Sequence, residues 1–232
     1  MKQESGIYLY DGSFNGFLTL LFEVRYHGLR PMEIHKLNEQ QEALFPQPNY
    51  IATRLKDAKT FWNSLRGQNY SALKALYFAF LSEEENIEIQ LYHFFCAWQK
   101  LNTKEKSMAA EISHKEVYQL AASVEKEKRA IEIRLVHSDF PGTSMVKRIK
   151  PKYNVLPLIS RYFRTRFREE DWLIYDVKRK YGLQHKNGSL AFIHIRPEQL
   201  SIKKNEIEAQ KSFIPASQLN EKRRNHSMEA VA

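Results

Sequence analysis

Residues 7–28, IYLYDGSFNGFLTLLFEVRYHG, constrain the fold more than any other stretch. Residues 7–10 are a strand-length apolar run, and Asp11-Gly12 ends it as a turn pair. Ser13 then has the side chain of a helix N-cap. Phe14, Phe17, Leu18, Leu21 and Phe22 follow at offsets 0, 3, 4, 7 and 8, the spacing of one helical face. His27-Gly28, with Pro31 beyond, predicts the end of that helix. The corner has two readings. Backbone N–H groups at a helix start can hold an anion. Asp11 already places a carboxylate there, which favours capping by Asp11 or Ser13 and a structural corner.

Helical patterns continue at 57–65, 71–81, 86–101 and 113–128, with extended segments at 43–48 and 49–53. The character changes near Arg129. Residues 130–135 alternate and predict a strand, paired through the Pro141-Gly142 turn with a second strand at 144–149. A short helix starting near Pro157 comes next, since proline is tolerated in a first turn. DWLIYDV and YGLQH read as strands, Asn187-Gly188 as a type I′ turn, and LAFIHI as the returning strand. The pattern predicts an α+β fold: an N-terminal strand–helix and a helical middle, about 13–128, packed with a C-terminal antiparallel sheet, about 129–196. A single domain over 1–200 is expected. The first strand is a candidate to join the C-terminal sheet, which would close the two halves together. The polar, basic tail 201–232 is expected to be partly disordered.

Composition narrows the function class. At 43% hydrophobic and 12% aromatic the chain should be globular. It has no apolar run of about 18 residues to span a membrane and no signal-peptide core at its start. Cys96 is the single cysteine, which excludes an intramolecular disulfide, a cysteine-rich zinc site and an iron–sulfur cluster on the chain's own thiolates. A cytoplasmic protein fits these features. The net charge is +9, and it is concentrated. Residues 146–186 hold 12 basic and 4 acidic side chains, leaving the rest of the chain near neutrality. One basic region on a neutral body points to a polyanion-binding face.

The strongest motif is ISRYFRTRFREEDWLIYDVKRKYG. On a helix, Arg161, Arg164 and Arg168 share one side, while Phe163 and Phe167 lie four apart on another. One face can pack while the other presents guanidinium groups, whose forked donors suit phosphate. The acidic run 169–171 beside Arg168 can neutralise it. Lys178, Arg179 and Lys180 come one strand later, with Tyr153, Tyr162, Trp172, Tyr175 and Tyr181 interleaved as rings able to stack on bases. Trp172 is expected in the core. Asp176 beside Arg179, together with Asp11, could form a carboxylate site, but an ion pair steadying the sheet is the simpler reading. His185 and His194 could face each other across the Asn-Gly hairpin, without a nearby carboxylate to complete a metal site. Walker, G-x-G-x-x-G, H-E-x-x-H and G-x-S-x-G motifs are absent. No metal or cofactor held by this chain is expected.

The two end motifs, IYLYDGSFNGFLTLLFEV and IKPKYNVLPLISRYFRTRFREEDWLIYDVKRKYGL, resemble an uncharacterised bacterial family labelled "probable DNA metabolism protein". The resemblance runs from about Gly6 to His185. Members of that family occur beside a radical SAM protein described as acting in DNA modification or repair, or are fused to a uracil-DNA-glycosylase-type domain. The family's aspartate-glycine-serine-phenylalanine corner falls on Asp11, Gly12, Ser13 and Phe14. Its proline and leucine fall on Pro157 and Leu158, and its phenylalanine and arginine on Phe163 and Arg166. The tryptophan, aspartate and arginine of its strand motif fall on Trp172, Asp176 and Arg179. The chain departs from the family at 126–135, where KEKR and AIEIRL stand in place of an arginine-glutamate, histidine-arginine and glycine-phenylalanine pattern.

These features give a primary expectation. The chain is a DNA-associated accessory module working with a radical SAM protein, with no membrane attachment. It would bind nucleic acid through Arg161, Arg164, Arg166, Lys178, Arg179 and Lys180; Arg166 enters this set through the resemblance. Two alternatives stand beside it. One is a nucleic-acid-processing enzyme with Asp11, Asp176 and His185 near its site. The other is a protein-interaction adaptor whose basic face docks an acidic partner.

Overall fold

A computed structural model describes residues 5–37, 48–100, 108–138 and 146–194. The segment 43–47, expected to be extended, and the tail 201–232 lie outside the described residues. The chain forms two compact units. Unit 1 comprises Met1–Arg129 and Lys152–Val155; unit 2 comprises Ala130–Pro151 and Leu156–Ala232.

Unit 1 opens with β1 (Ser5–Tyr10) and α1 (Phe14–His27), joined by the Asp11–Ser13 corner. Ser13 caps α1, its Oγ accepting from Gly16 N at 2.9 Å. Gly28 ends the helix in the left-handed region, at φ 73°, with Arg25 and His27 in the last turn beside the helix carbonyls. The chain returns as β2 (Arg30–Lys36), parallel to β1, and then as β3 (Asn49–Ile51), parallel to β1 on its other side. The sheet order is β2-β1-β3. As the central strand, β1 buries Tyr8, Leu9 and Tyr10 in succession, the signature of a strand covered on both faces.

Helix α1 ends at His27-Gly28 as its sequence predicts, and Pro31, just beyond, is buried within β2. Strand β2 lies at the sheet edge, where a missing N–H is tolerated, and the register with β1 shifts between Gly6 and Ile7 beside it. One expectation changes here: the first strand does not join the C-terminal sheet, because β1 has both its edges filled by β2 and β3.

Helices α2 (Leu55–Gln68), α3 (Tyr70–Phe80) and α4 (Ile87–Lys100) complete the core of unit 1 with Phe61, Leu65, Leu73, Leu76, Leu91, Phe94 and Phe95. Asn69 makes the α2–α3 corner by accepting from Ala72 N at 3.0 Å. Helix α5 (Met108–His137) begins in unit 1 and ends in unit 2. The strand expected at 130–135 is the last two turns of this helix. Val117, Ala121, Val124, Ile131 and Leu135 are buried at offsets 0, 4, 7, 14 and 18, while Ile133 is 59% exposed. A strand would put Ile131, Ile133 and Leu135 on one face; the helix separates them. The local alternation of apolar residues fits both periods, and the upstream helical register decides it.

Residues 130–135 therefore do not pair as a hairpin with the strand that follows; the Pro141-Gly142 turn expected between them lies outside the described residues. Strand β4 (Val146–Ile149) instead pairs in parallel with β5 (Trp172–Asp176), and α6 (Leu156–Arg166) is the crossover that a parallel pair requires. β6 (Tyr181–Lys186) and β7 (Ser189–His194) then add antiparallel, giving the order β4-β5-β6-β7. Asn187 and Gly188 take φ of 51° and 74°, as a type I′ turn demands. Together the units make the chain α+β, with one parallel sheet and one mixed sheet that ends antiparallel.

Candidate nucleic-acid interface

The side chains expected to meet a polyanion lie in unit 2. Leu156, Ile159 and Phe163 bury one face of α6, and Phe163 packs on Trp172 with ring centroids 6.1 Å apart. Trp172 is 2% exposed, as expected of a core residue, and its Nε1 donates to the Phe167 carbonyl at 3.0 Å. This anchors one side of α6 and leaves Arg161 and Arg164 on the outer side, with Arg166 at the end of the helix off that side; all three are exposed. Among the described residues none of these guanidinium groups has a carboxylate partner; Arg166 lies 5.7 Å from the Phe167 ring. Arg168 falls beyond the helix and pairs with Glu169 at 2.8 Å, the neutralisation its acidic neighbours predict.

The second basic cluster is the turn between β5 and β6. Asp176 is fully buried, and its Oδ1 accepts from Lys178 N at 2.9 Å and Arg179 N at 3.1 Å. Its Oδ2 accepts from the Arg179 guanidinium at 2.9 Å, and the Arg179 side chain is only 9% exposed. The pair holds the turn closed, as the simpler sequence reading has it. It also engages Arg179 internally, while Lys178 and Lys180 remain exposed.

Helix α6 runs back antiparallel to the two strands it connects. Its C-terminal arginines therefore lie toward the start of β5, where Phe167 meets Trp172. The Lys178–Lys180 turn lies at the other end of β5. The two clusters bracket the sheet lengthwise, separated by five strand residues, or about 17 Å.

His185 and His194 are not opposite one another. The register pairs His185 with Leu190 and Tyr181 with His194. His185 is buried, stacked on Trp172 at 5.4 Å, with Nδ1 2.8 Å from the Glu170 carbonyl oxygen. Among the interleaved aromatics, Tyr153, Trp172 and Tyr175 are buried, whereas Tyr162 is exposed and Tyr181 half-buried. One exposed ring was missed by sequence reasoning: Phe192 on β7 is 51% exposed. Reading LAFIHI as a returning strand did not say which of its residues stay open; β7 is an edge strand, and Phe192 is left uncovered there.

Asp11 belongs to unit 1, whereas Asp176 and His185 belong to unit 2. Asp11 Oδ1 accepts from Ser13 N at 2.9 Å and Ser13 Oγ at 2.7 Å, and its Oδ2 accepts from Thr53 Oγ1 at 2.7 Å. The corner's groups are thus spent on one another, in keeping with a structural cap. Although partial burial pushes the Asp11 carboxyl up, the hydrogen bonds from Thr53 and Ser13 outweigh it and hold the pKa below the usual value. A depressed folded-state pKa stabilises the fold above the ordinary carboxylate range, and the contribution is lost as pH falls through the folded value. Thr53→Ala should therefore raise the Asp11 titration midpoint, measured by carboxyl NMR, and lower the stability of unit 1 at neutral pH, a deficit that shrinks as pH falls below about 4.

Among the described residues, no group of three or more His, Cys, Asp or Glu side chains comes together to hold a metal, and no helix is long and apolar enough to cross a membrane. No curated protein and no solved structure matches the chain. A family model described as a domain of unknown function, DUF4130, matches residues 85–230, which include α4, α5 and all the described elements of unit 2, and the chain belongs to that family.

Proposed function

We propose that this protein is a nucleic-acid-binding accessory module, acting on DNA beside a radical SAM protein in modification or repair. The observation that carries the binding reading is the division of α6. Its inner face is fixed by Phe163 on Trp172; Arg161 and Arg164 stand on its outer side and Arg166 is exposed off that side, all three without carboxylate partners among the described residues. Guanidinium groups kept clear of carboxylates and backed by a rigid core suit phosphate contacts. Lys178 and Lys180 extend the same charge to the far end of the sheet. The DNA context and the radical SAM partner rest on the resemblance of the two end motifs to the DNA-metabolism family.

A salt titration tests the binding reading. Labelled DNA should bind at low ionic strength, with log affinity falling linearly in log salt. Replacing Arg161, Arg164 and Arg166 together with alanine should reduce that slope by about 2–3 if each contacts one phosphate. Absence of binding at low salt, by the chain alone and with the radical SAM protein present, would overturn it. Co-purification from nuclease-treated lysate tests the partnership separately.

A further inference from the structure

The cross-strand register of unit 2 assigns every inward residue of β7 to a row. Directly paired residues point to the same side of a sheet. One row is Ile174–Leu183–Phe192, the next Asp176–Tyr181–His194, and the third Trp172–His185–Leu190. On β5 and β6 the members Trp172, Ile174, Leu183 and His185 are buried on the side where α6 packs. On β7 the same rows come out from under the helix. Leu190 is half-buried, Phe192 is 51% exposed and His194 is exposed. Tyr181 joins them, its ring centroid 6.0 Å from Phe192 and 6.1 Å from His194. The result is a ledge with α6 standing on the sheet as one wall and a strip of three rings as the floor. Lys178 and Lys180 lie at one end, and Arg164 and Arg166 toward the other.

We propose that Tyr181, Phe192 and His194 form a base-stacking platform for single-stranded nucleic acid. This rests on the basic-face reading above and adds the form of the ligand. The charge at both ends of the strip favours a polyanion lying along β7, over an apolar partner that would gain nothing from the lysines and arginines. The rings then decide between duplex and single strand. A ring can stack only on a base whose face is open, and a duplex offers this only at its ends. Phe192 and His194 are two residues apart on a strand, so their side chains stand about 7 Å apart. Stacked bases in a duplex are about 3.4 Å apart and cannot meet both rings, whereas splayed bases of a single strand can.

The test uses the full chain with a labelled oligothymidylate dodecamer and a duplex of the same length, followed by fluorescence anisotropy at low salt. The wild type should favour the single strand. Phe192→Ala should weaken single-strand binding by about tenfold or more, with duplex affinity and salt slope unchanged, and Phe192→Trp should restore it. Since Phe192 is half exposed, both variants should keep the wild-type circular dichroism and thermal midpoint. Equal affinity for the two ligands, unaltered by Phe192→Ala, would overturn the platform and leave the basic face standing. Failure to bind either ligand would remove both. If Phe192→Ala instead dissolves a dimer formed through the β7 edge, with oligonucleotide binding intact, the strip is a self-association surface and the proposal falls.

Discussion

Gly16→Ala destabilises unit 1 by about 3 kcal/mol, read as a lower urea midpoint. Gly16 sits in the first turn of α1 against the corner formed by Asp11 and Thr53. A Cβ there would collide with Asp11 Oδ1 and lie 2.8 Å from Thr53 Oγ1 and 3.0 Å from the Tyr10 ring. None of these neighbours can yield freely. Asp11 is held by Ser13 and Thr53, and Tyr10 is fully buried with its hydroxyl donating to Glu88 at 2.8 Å. The added methyl must therefore break the Asp11 hydrogen bonds or push α1 off β1. Gly67→Ala is the matched control. Gly67 lies within α2 with nothing within 4 Å of its would-be Cβ, so alanine should be neutral or stabilising by up to about 1 kcal/mol through helix propensity. Equal effects at the two positions would show that the corner is looser than the geometry describes.

Asp176→Ala should destabilise unit 2 by about 3–5 kcal/mol. The carboxylate is fully buried and the Arg179 side chain nearly so; removing one partner strands the other's charge away from water. The same change leaves the Lys178 and Arg179 amides without their acceptor, which loosens the turn that carries Lys178 and Lys180. Asp176→Asn keeps one acceptor oxygen for those amides but removes the charge, so its cost should be smaller. Combining Asp176→Ala with Arg179→Met removes both charges and should recover much of the loss, because a buried pair replaced by apolar groups is often close to neutral. Guanidinium denaturation would mask the electrostatics, so urea is the appropriate denaturant. A single variant that unfolds at the wild-type midpoint would show that Arg179 finds water or another acceptor.

Which parts were legible in the sequence follows from the range of the forces involved. Ser13, Gly28 and Asn187-Gly188 act within a few residues of themselves, through a cap or a required positive φ. Their effect is readable wherever they occur. The apolar run WLIYD is buried at every position, so its length alone predicts a covered strand. Residues 130–135 were not legible in this way. A six-residue window in which Ile131, Ile133 and Leu135 alternate satisfies a period of two, and the helix wins only because Val117, Ala121 and Val124 upstream are already in helical register. β2 was hidden by Pro31, since only the sheet order reveals that this strand lies at an edge.

The candidate interface divides along the same line. Composition and period belong to the chain whatever it packs against, so the concentration of charge in 146–186, the arginines at helical spacing and the rings among them are legible directly. Which of those groups can meet a ligand depends on packing between distant segments of the chain. A core Trp172 and an Asp176–Arg179 pair were already expected; packing adds that burial of Asp176 takes the Arg179 guanidinium almost wholly out of solvent and that the crossover sends the arginines and the lysine turn to opposite ends of the sheet. It also leaves Phe192 in the open on an edge strand that α6 does not cover. Accessibility is a property of the surface that remains after packing, and that surface is set by contacts between residues far apart in the chain.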